Sequence, residues 1–400
     1  MRVVGIIAEY NPLHNGHIYH MELAKALSGA EFCVVAMSGN FVQRGEPACT
    51  DKFTRTDWAL KAGADLVVEL PTVFAVSSAE RFAIGGVRTL AGTGVVTDLA
   101  FGCEETDVST LYQLSDIIVS EPPPFQRALR EHLKLGKSYP RARFDALSDY
   151  GVPNAMLDAI AQPNNILAVE YLQALRTFAP DIRALPITRI ACEYHSDTLS
   201  GEYSSATAIR RALSEGNRDV LSAMPNFVGG PLVYDDSFLI TQEDLGPLML
   251  YALRRLSRAD IAELPDVAEG FENVLYSAAR SAHSVSELFE AVKSKRYTLA
   301  RVKRIATSAL LGITAEQVHA TVRSREGSYL RVLGFRKDAR RLLSAIGRYK
   351  SIPMILRNAD LNSCPPFVQR DVDTDMLSTD VLSLATGKDV KRDASGPVIV

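Results

Sequence analysis

The sequence predicts an α/β protein: a doubly wound parallel sheet in the first half and a mostly α-helical second half. Two observations carry this reading. From residue 1 to about 215, apolar runs of strand length alternate with amphipathic runs of helix length at roughly 30 residues per unit, the pattern of parallel strands joined by crossover helices. Beyond Gly229-Gly230-Pro231 and Asp235-Asp236, a loop-rich boundary, helical periodicity dominates to about residue 345. The expected domains are therefore 1–215, with a helical insertion at about 107–160, and 216–400.

The elements follow in order. Residues 2–10 read as a buried strand. It runs into the turn Asn11-Pro12-Leu13-His14-Asn15-Gly16-His17, where Pro12 and Gly16 redirect the backbone. A helix follows with Ile18, Met21, Ala24 and Leu27 on its inner face and Gly29 as its stop. Residues 31–37 form the next strand, and the polar, glycine-containing loop 38–47 lies at its carboxyl end, where parallel sheets bind ligands. A helix at 51–61, a strand at 66–70 ended by Pro71, further alternation through 77–90 and a strand at 98–102 complete this half-sheet. Gly102 closes the last strand where a residue without a side chain lets a base or ribose approach, or simply turns the chain. Residues 107–160 are helical and charged, interrupted by Pro122-Pro123-Pro124. Asn164 and Asn165 stand at the entrance of the returning helix, as caps or as nucleotide contacts. The strand 186–190 carries Arg189, suited to phosphate.

Two stretches carry chemistry. His14-Asn15-Gly16-His17 sets two imidazoles at a strand-to-helix junction, where free N–H groups and the helix dipole attract phosphate. Each ring can donate to oxygens that gain charge in a transition state. His20 extends the run to H-x-x-H-x-x-H, but no carboxylate or cysteine stands at ligand spacing, so no metal site is expected. Tyr203-Ser204-Ser205-Ala206-Thr207-Ala208-Ile209-Arg210-Arg211 crowds hydroxyls at a helix start with Arg210 one turn inside. Locally this is an N-cap; by composition it is a phosphate clamp.

The segment Lys293-Ser294-Lys295-Arg296-Tyr297-Thr298-Leu299-Ala300-Arg301-Val302-Lys303-Arg304 has six basic residues and no acidic one. Thr298 caps a helix that ends before Gly312. With Leu299, Val302, Ala306 and Leu310 inward, Arg301 and Arg304 are left on an outward face, which is either simply solvated or, as twelve residues free of carboxylates favour, meant for nucleic acid. Arg331, Arg336, Lys337, Arg340 and Arg341 are candidates to extend that surface, and 386–400 reads as a mobile tail.

Composition bounds the alternatives. With 400 residues, 47% hydrophobic and 23% charged, the chain is an ordinary folded protein of two or three domains. No run approaches the roughly 18 apolar residues of a membrane helix and the N-terminus lacks a basic leader, so a cytoplasmic protein is expected. The five cysteines, Cys33, Cys49, Cys103, Cys192 and Cys364, are odd in number and lack C-x-x-C spacing, so neither disulfides nor zinc are expected. Residues 1–215 hold 19 basic and 25 acidic side chains, a net of −6; residues 216–400 hold the remaining 25 and 22, a net of +3. A polyanion is thus better held by the second half.

His14-Asn15-Gly16-His17 resembles the H-x-G-H signature of the nucleotidyltransferase superfamily, whose members attack ATP at the α-phosphate, and the Ser205-to-Arg210 stretch resembles the other half of its triphosphate site. More closely, Ala8-Glu9-Tyr10-Asn11-Pro12-Leu13-His14-Asn15-Gly16-His17, Ser38-Gly39-Asn40-Phe41-Val42-Gln43-Arg44-Gly45, Pro163-Asn164-Asn165-Ile166-Leu167 and Lys295-Arg296-Tyr297-Thr298 resemble the bacterial tRNA(Met) cytidine acetate ligase family over nearly the whole chain.

The resemblance implies a Rossmann-like sheet of nucleotidyltransferase type. It further implies that acetate and ATP form acetyl-adenylate, and that the acetyl group passes to N4 of the wobble cytidine of elongator tRNA(Met). Mg²⁺ is expected with the triphosphate. The implied ATP site comprises Ile7, Ala8, Glu9, Tyr10, Asn11, Pro12, Leu13, His14, Asn15, Gly16, His17, Ile18, Tyr19 and His20, with Gly102, Asn164 and Arg189. Ser205 and Thr207 join it from the second signature. His14, His17 and Arg210 are the expected catalytic groups, and Lys293, Lys295, Arg296, Arg301, Lys303 and Arg304 the expected tRNA contacts. Two rivals share parts of the pattern: a small-molecule adenylyltransferase, which has no use for the basic segment, and a catalytically silent RNA-binding protein.

Overall fold

The computed structural model describes residues 1–105, 108–189, 199, 201–235, 239–324, 329–387 and 392–400. Asp107, Ile190, Cys192 and Asp236, which entered the reading above, lie outside the described residues.

Among the described residues eight strands form the sheet: β1 Val3–Ala8, β2 Phe32–Ser38, β3 Leu66–Leu70, β4 Asp98–Cys103, β5 Arg183–Thr188, β6 Leu330–Phe335, β7 Met354–Ile355 and β8 Val398–Ile399. Their order is β5-β4-β1-β2-β3-β6-β7, with β8 on β6. The first five are mutually parallel, with Gly5 opposite both Val34 and Leu99. Because β2 lies on one side of β1 and β4 on the other, the crossovers diverge at β1 and open a crevice at the carboxyl ends of β1 and β4. Alternation along the buried strands splits the core. Val34 and Ala36 face one layer with Phe74, Phe82 and Leu90, while Cys33, Val35 and Met37 face the other with Met21, Ala24 and Trp58.

The helix Asn15–Ser28 ends at Gly29, which takes φ +62° as the stop signal requires. Its buried face is Met21, Ala24 and Ser28. Leu27 is 55% exposed, so the apolar stripe runs one position further round than the sequence spacing suggested. Residues 108–161 form four helices, Val108–Ser120, Pro123–Lys134, Tyr139–Asp149 and Asn154–Ala161.

In the second half, the helices Gly246–Arg255, Arg258–Ala262, Phe271–Ser281, Val285–Val292 and Leu299–Leu311 share a core of their own, built on Leu253, Leu275, Leu288, Val302 and Ile305. The chain then returns to the sheet, which helical periodicity did not reveal: β6 runs antiparallel to β3, with Leu66 opposite Phe335. Arg331, read as a surface cation, is buried on β6. It pairs with Glu69 at 3.0 Å and with Asp393 at 2.5 Å, and Lys52 pairs with the same two acids at 2.9 and 3.1 Å. Burial lifts the Glu69 carboxyl to about 7 despite both cations. The tail is likewise not free where it is described: Asp393 is in this network and β8 pairs with β6.

Candidate active site

The turn after β1 is held by more contacts than its sequence shows. Tyr10 takes φ +46°, a left-handed conformation that costs energy in a residue with a Cβ and that its surroundings must enforce. Arg55, wholly buried, donates to the carbonyls of Glu9 at 2.7 Å, Ser38 at 3.0 Å and Thr50 at 3.1 Å, and also to that of Gly39. It thereby joins the turn to the loop after β2. Glu9 Oε1 accepts the Gln43 N–H at 2.7 Å, and Asn11 Oδ1 the Cys49 N–H at 2.7 Å. Sequence reasoning missed Arg55, because a lone arginine in an amphipathic helix reads as a solvated side chain.

His14 is the N-cap of the Asn15–Ser28 helix and His17 is its third residue. Their rings stack with centroids 3.7 Å apart, and Tyr10 meets the His17 ring edge-on at 5.0 Å. The His14 N–H donates to His17 Nδ1 at 3.2 Å. Burial, with the charges of Arg189 and Arg210, pushes His14 down to about 3. Burial, then His14 and Arg189, hold His17 well below the ordinary imidazole range. Both rings are neutral at physiological pH. Since Nδ1 of His17 accepts, its proton sits on Nε2, ready to donate to a ligand. His14 Nδ1 and His20 Nε2 are buried without a partner among the described residues.

The second signature closes on the first. Ser205 caps the helix Ala206–Ser214, its Oγ accepting the Ala208 N–H at 3.1 Å, so the local cap reading holds there. One turn on, Arg210 donates to the Asn11 carbonyl at 2.6 Å. Asn15 donates to the Glu202 and Ser222 carbonyls at 3.2 and 3.0 Å, and the Tyr19 and Tyr203 rings meet edge to face. Thr207 is exposed in the first turn of its helix.

A third wall comes from the neighbouring strands. Arg189 lies just past β5, its N–H donating to the Cys103 carbonyl at 2.9 Å, and a Cβ on Gly102 would meet Arg189 Cγ at 3.2 Å. Arg189 reaches Asn164 Oδ1 at 3.4 Å. Asn165 points elsewhere: it is buried, accepts the N–H groups of Glu104 and Glu105 at 2.8 and 3.1 Å and donates to the Ala159 carbonyl at 2.9 Å. Of the two amides, Asn164 bridges the Glu104 carboxylate and Arg189, and Asn165 holds the β4 loop.

The basic segment is divided. Thr298 does cap the helix Leu299–Leu311, and Gly312 ends it. Arg301 and Arg304 are not outward: Arg301 donates to the Asp266 carbonyl at 2.9 and 2.6 Å while stacking on Tyr297, and Arg304 pairs with the Asp266 carboxylate at 3.4 Å. Lys303 pairs with Glu46. These three fasten the helix to neighbouring loops, whereas Lys293, Lys295 and Arg296 are exposed. Of the proposed extension, Arg336 pairs with Asp338 and Arg341 with Glu31.

A family model described as HIGH Nucleotidyl Transferase matches residues 1–395. The chain belongs to this family. The tRNA(Met) cytidine acetate ligase of Acetivibrio thermocellus is 40% identical over 95% of this chain and 94% of its own. That of Caldanaerobacter subterraneus subsp. tengcongensis is 40% identical over 96% of each. The crystal structure of Thermotoga maritima TmcAL bound with alpha-thio ATP is 32% identical and superposes with a TM-score of 0.92 over the whole of both chains; its apo form gives 0.94. The sheet of nucleotidyltransferase type expected from the H-x-G-H turn is thus the fold of the family. No helix among the described residues is long and apolar enough to cross a membrane.

Proposed function

We propose that this protein is a tRNA(Met) cytidine acetate ligase, which activates acetate with MgATP and acetylates N4 of the wobble cytidine of elongator tRNA(Met). The observation that carries the reading is the 2.6 Å bond from Arg210 to the Asn11 carbonyl, which unites the two signatures of the sequence around one turn. An acetate oxygen attacks the α-phosphorus, the bond to the β-phosphate bridge breaks and pyrophosphate leaves. His17 Nε2–H and the helix N–H groups donate to the oxygens that gain charge, and Arg189 and Arg210 supply positive charge. Neutral rings suit this role, since they donate without having to lose a proton. The cytosine N4 lone pair then attacks the acetyl carbon, AMP leaves and N4 releases a proton. N4 is a weak nucleophile, so positioning supplies much of the second barrier. Gly102, Asn164 and Arg189 form the wall suited to the nucleoside.

Wild-type protein given ATP, Mg²⁺, labelled acetate and tRNA(Met), without acetyl-CoA, is expected to label a single cytidine and release AMP and pyrophosphate. Release of ADP and phosphate, or a requirement for acetyl-CoA, would refute attack at the α-phosphate. Acetate-dependent exchange of labelled pyrophosphate into ATP separates this reading from an adenylyltransferase acting on another substrate and from a silent RNA-binding protein.

A further inference from the structure

With Arg301, Lys303 and Arg304 engaged in internal contacts, only Lys293, Lys295 and Arg296 of the basic segment remain exposed, and the rest of the RNA-facing surface of the helical half must be sought elsewhere. We infer that it is an arginine–tyrosine cluster, Tyr251, Arg255, Arg258, Tyr276 and Arg280, formed by the helices Gly246–Arg255, Arg258–Ala262 and Phe271–Ser281, and that it grips the phosphates and unstacked bases of the tRNA. The inference rests on the ligase reading above.

Two guanidinium groups share one ring: Arg280 lies 3.4 Å and Arg258 4.2 Å from the centroid of Tyr276. Arg255 lies 5.8 Å from the ring of Tyr251, which is 63% exposed. All three arginines are exposed, and among the described residues no carboxylate lies within ion-pair distance of any of them. Asp260, the acid on the short helix that begins with Arg258, is taken by Ser257, accepting from its N–H at 2.9 Å and its Oγ at 2.8 Å. Arg280 is oriented by the carbonyls of Tyr276 and Arg254 at 3.1 and 2.9 Å. The fold therefore gathers like charges without a compensating acid, an arrangement that repels itself until an anion arrives. Its planar cations and exposed aromatic face match single-stranded or looped RNA, which offers phosphates to guanidinium forks and base faces to stack on tyrosine or arginine. A membrane surface would ask for an extended aliphatic face beside the cations, whereas on these three helices the exposed large apolar side chains are Tyr251 and Val274 alone.

The test uses the full chain. Arg255→Glu with Arg258→Glu is expected to weaken binding of a tRNA(Met) transcript at least tenfold at moderate salt and to lower the slope of log affinity against log salt by about 2, one per lost phosphate contact. Tyr251→Ala should weaken binding with little change in slope. The loss should be equal for an unrelated tRNA, since phosphate contacts carry no sequence information. Acetate-dependent pyrophosphate exchange should stay at the wild-type rate, which also reports that the variant is folded. Unchanged tRNA affinity in the double variant, or loss of binding to anionic vesicles instead of tRNA, would overturn the surface while leaving the ligase reading intact. A wild-type protein that bound no tRNA would overturn both.

Discussion

Lys303 Nζ lies 2.5 Å from Glu46 Oε1, joining the basic helix of the second half to the loop that follows β2 of the catalytic sheet. Beside this pair, Thr307 Oγ1 donates to the Gly45 carbonyl at 2.9 Å, and Arg304 and Arg81 both pair with Asp266, at 3.4 and 3.2 Å. Gly45 has φ +73°, and a Cβ there would stand 2.3 Å from the Arg304 backbone nitrogen. The helix backbone rests directly on the loop whose Gln43 N–H holds Glu9.

Gly45→Ala is therefore expected to separate loop from helix, because both the dihedral and the contact with backbone oppose it. It should lower stability by about 2 kcal/mol or more. Lys303→Ala, which breaks one half-buried pair, should cost about 1 kcal/mol. Thermal unfolding of both variants checks the order; equal losses would mean that the ion pair, not the close approach, joins the two parts.

His14→Ala and His17→Ala are each expected to lower adenylate formation by about 10² or more, the usual cost of removing a donor aimed at developing charge. ATP affinity should fall less. Single-turnover measurement of acetyl-adenylate decides this, and full activity in either variant would remove that ring from the chemistry.

The neighbouring amides should behave differently. Asn165→Ala removes a buried amide and takes the acceptor from the half-buried N–H groups of Glu104 and Glu105, and should cost about 2 kcal/mol of stability. Asn164→Ala should instead raise the KM for ATP with a smaller loss of stability. Denaturant titration beside steady-state kinetics would expose a reversed assignment.

The depressed histidines give stability a pH dependence. His14 and His20 are held near 3 and 4 in the folded chain, mainly by burial, against 6.5 when exposed. Below 6.5 the unfolded chain binds protons that the folded one refuses. Their contribution is thus whole above about 6.5 and is lost progressively toward 4 and 3. Glu69, raised to about 7, acts in the opposite sense between about 4.5 and 7. Comparing wild type with His14→Asn and His20→Asn cancels that opposing contribution. Each variant should lose less stability between pH 7 and pH 5 than wild type, and parallel curves would contradict the shifts.

Local pattern was enough for the parallel half-sheet, the H-x-G-H turn and the caps at Thr298 and Ser205, because each follows from local periodicity or from a side chain bonding its own backbone. Gly29 and Gly312 ended their helices for the same reason. Which charges face solvent was settled instead by contacts between residues far apart in the chain. Arg331 on β6, Arg55 under the turn and Arg301 beside Asp266 all carry ordinary surface chemistry in the sequence. Arg331 and Arg55 became internal, and Arg301 half-buried, because partners far along the chain, Glu69 with Asp393, the Glu9 and Ser38 carbonyls, and Asp266, supplied the acceptors that a desolvated guanidinium needs. The return of β6 to the sheet was hidden similarly, since the pairing of Leu66 with Phe335 joins residues too distant for any local pattern to register.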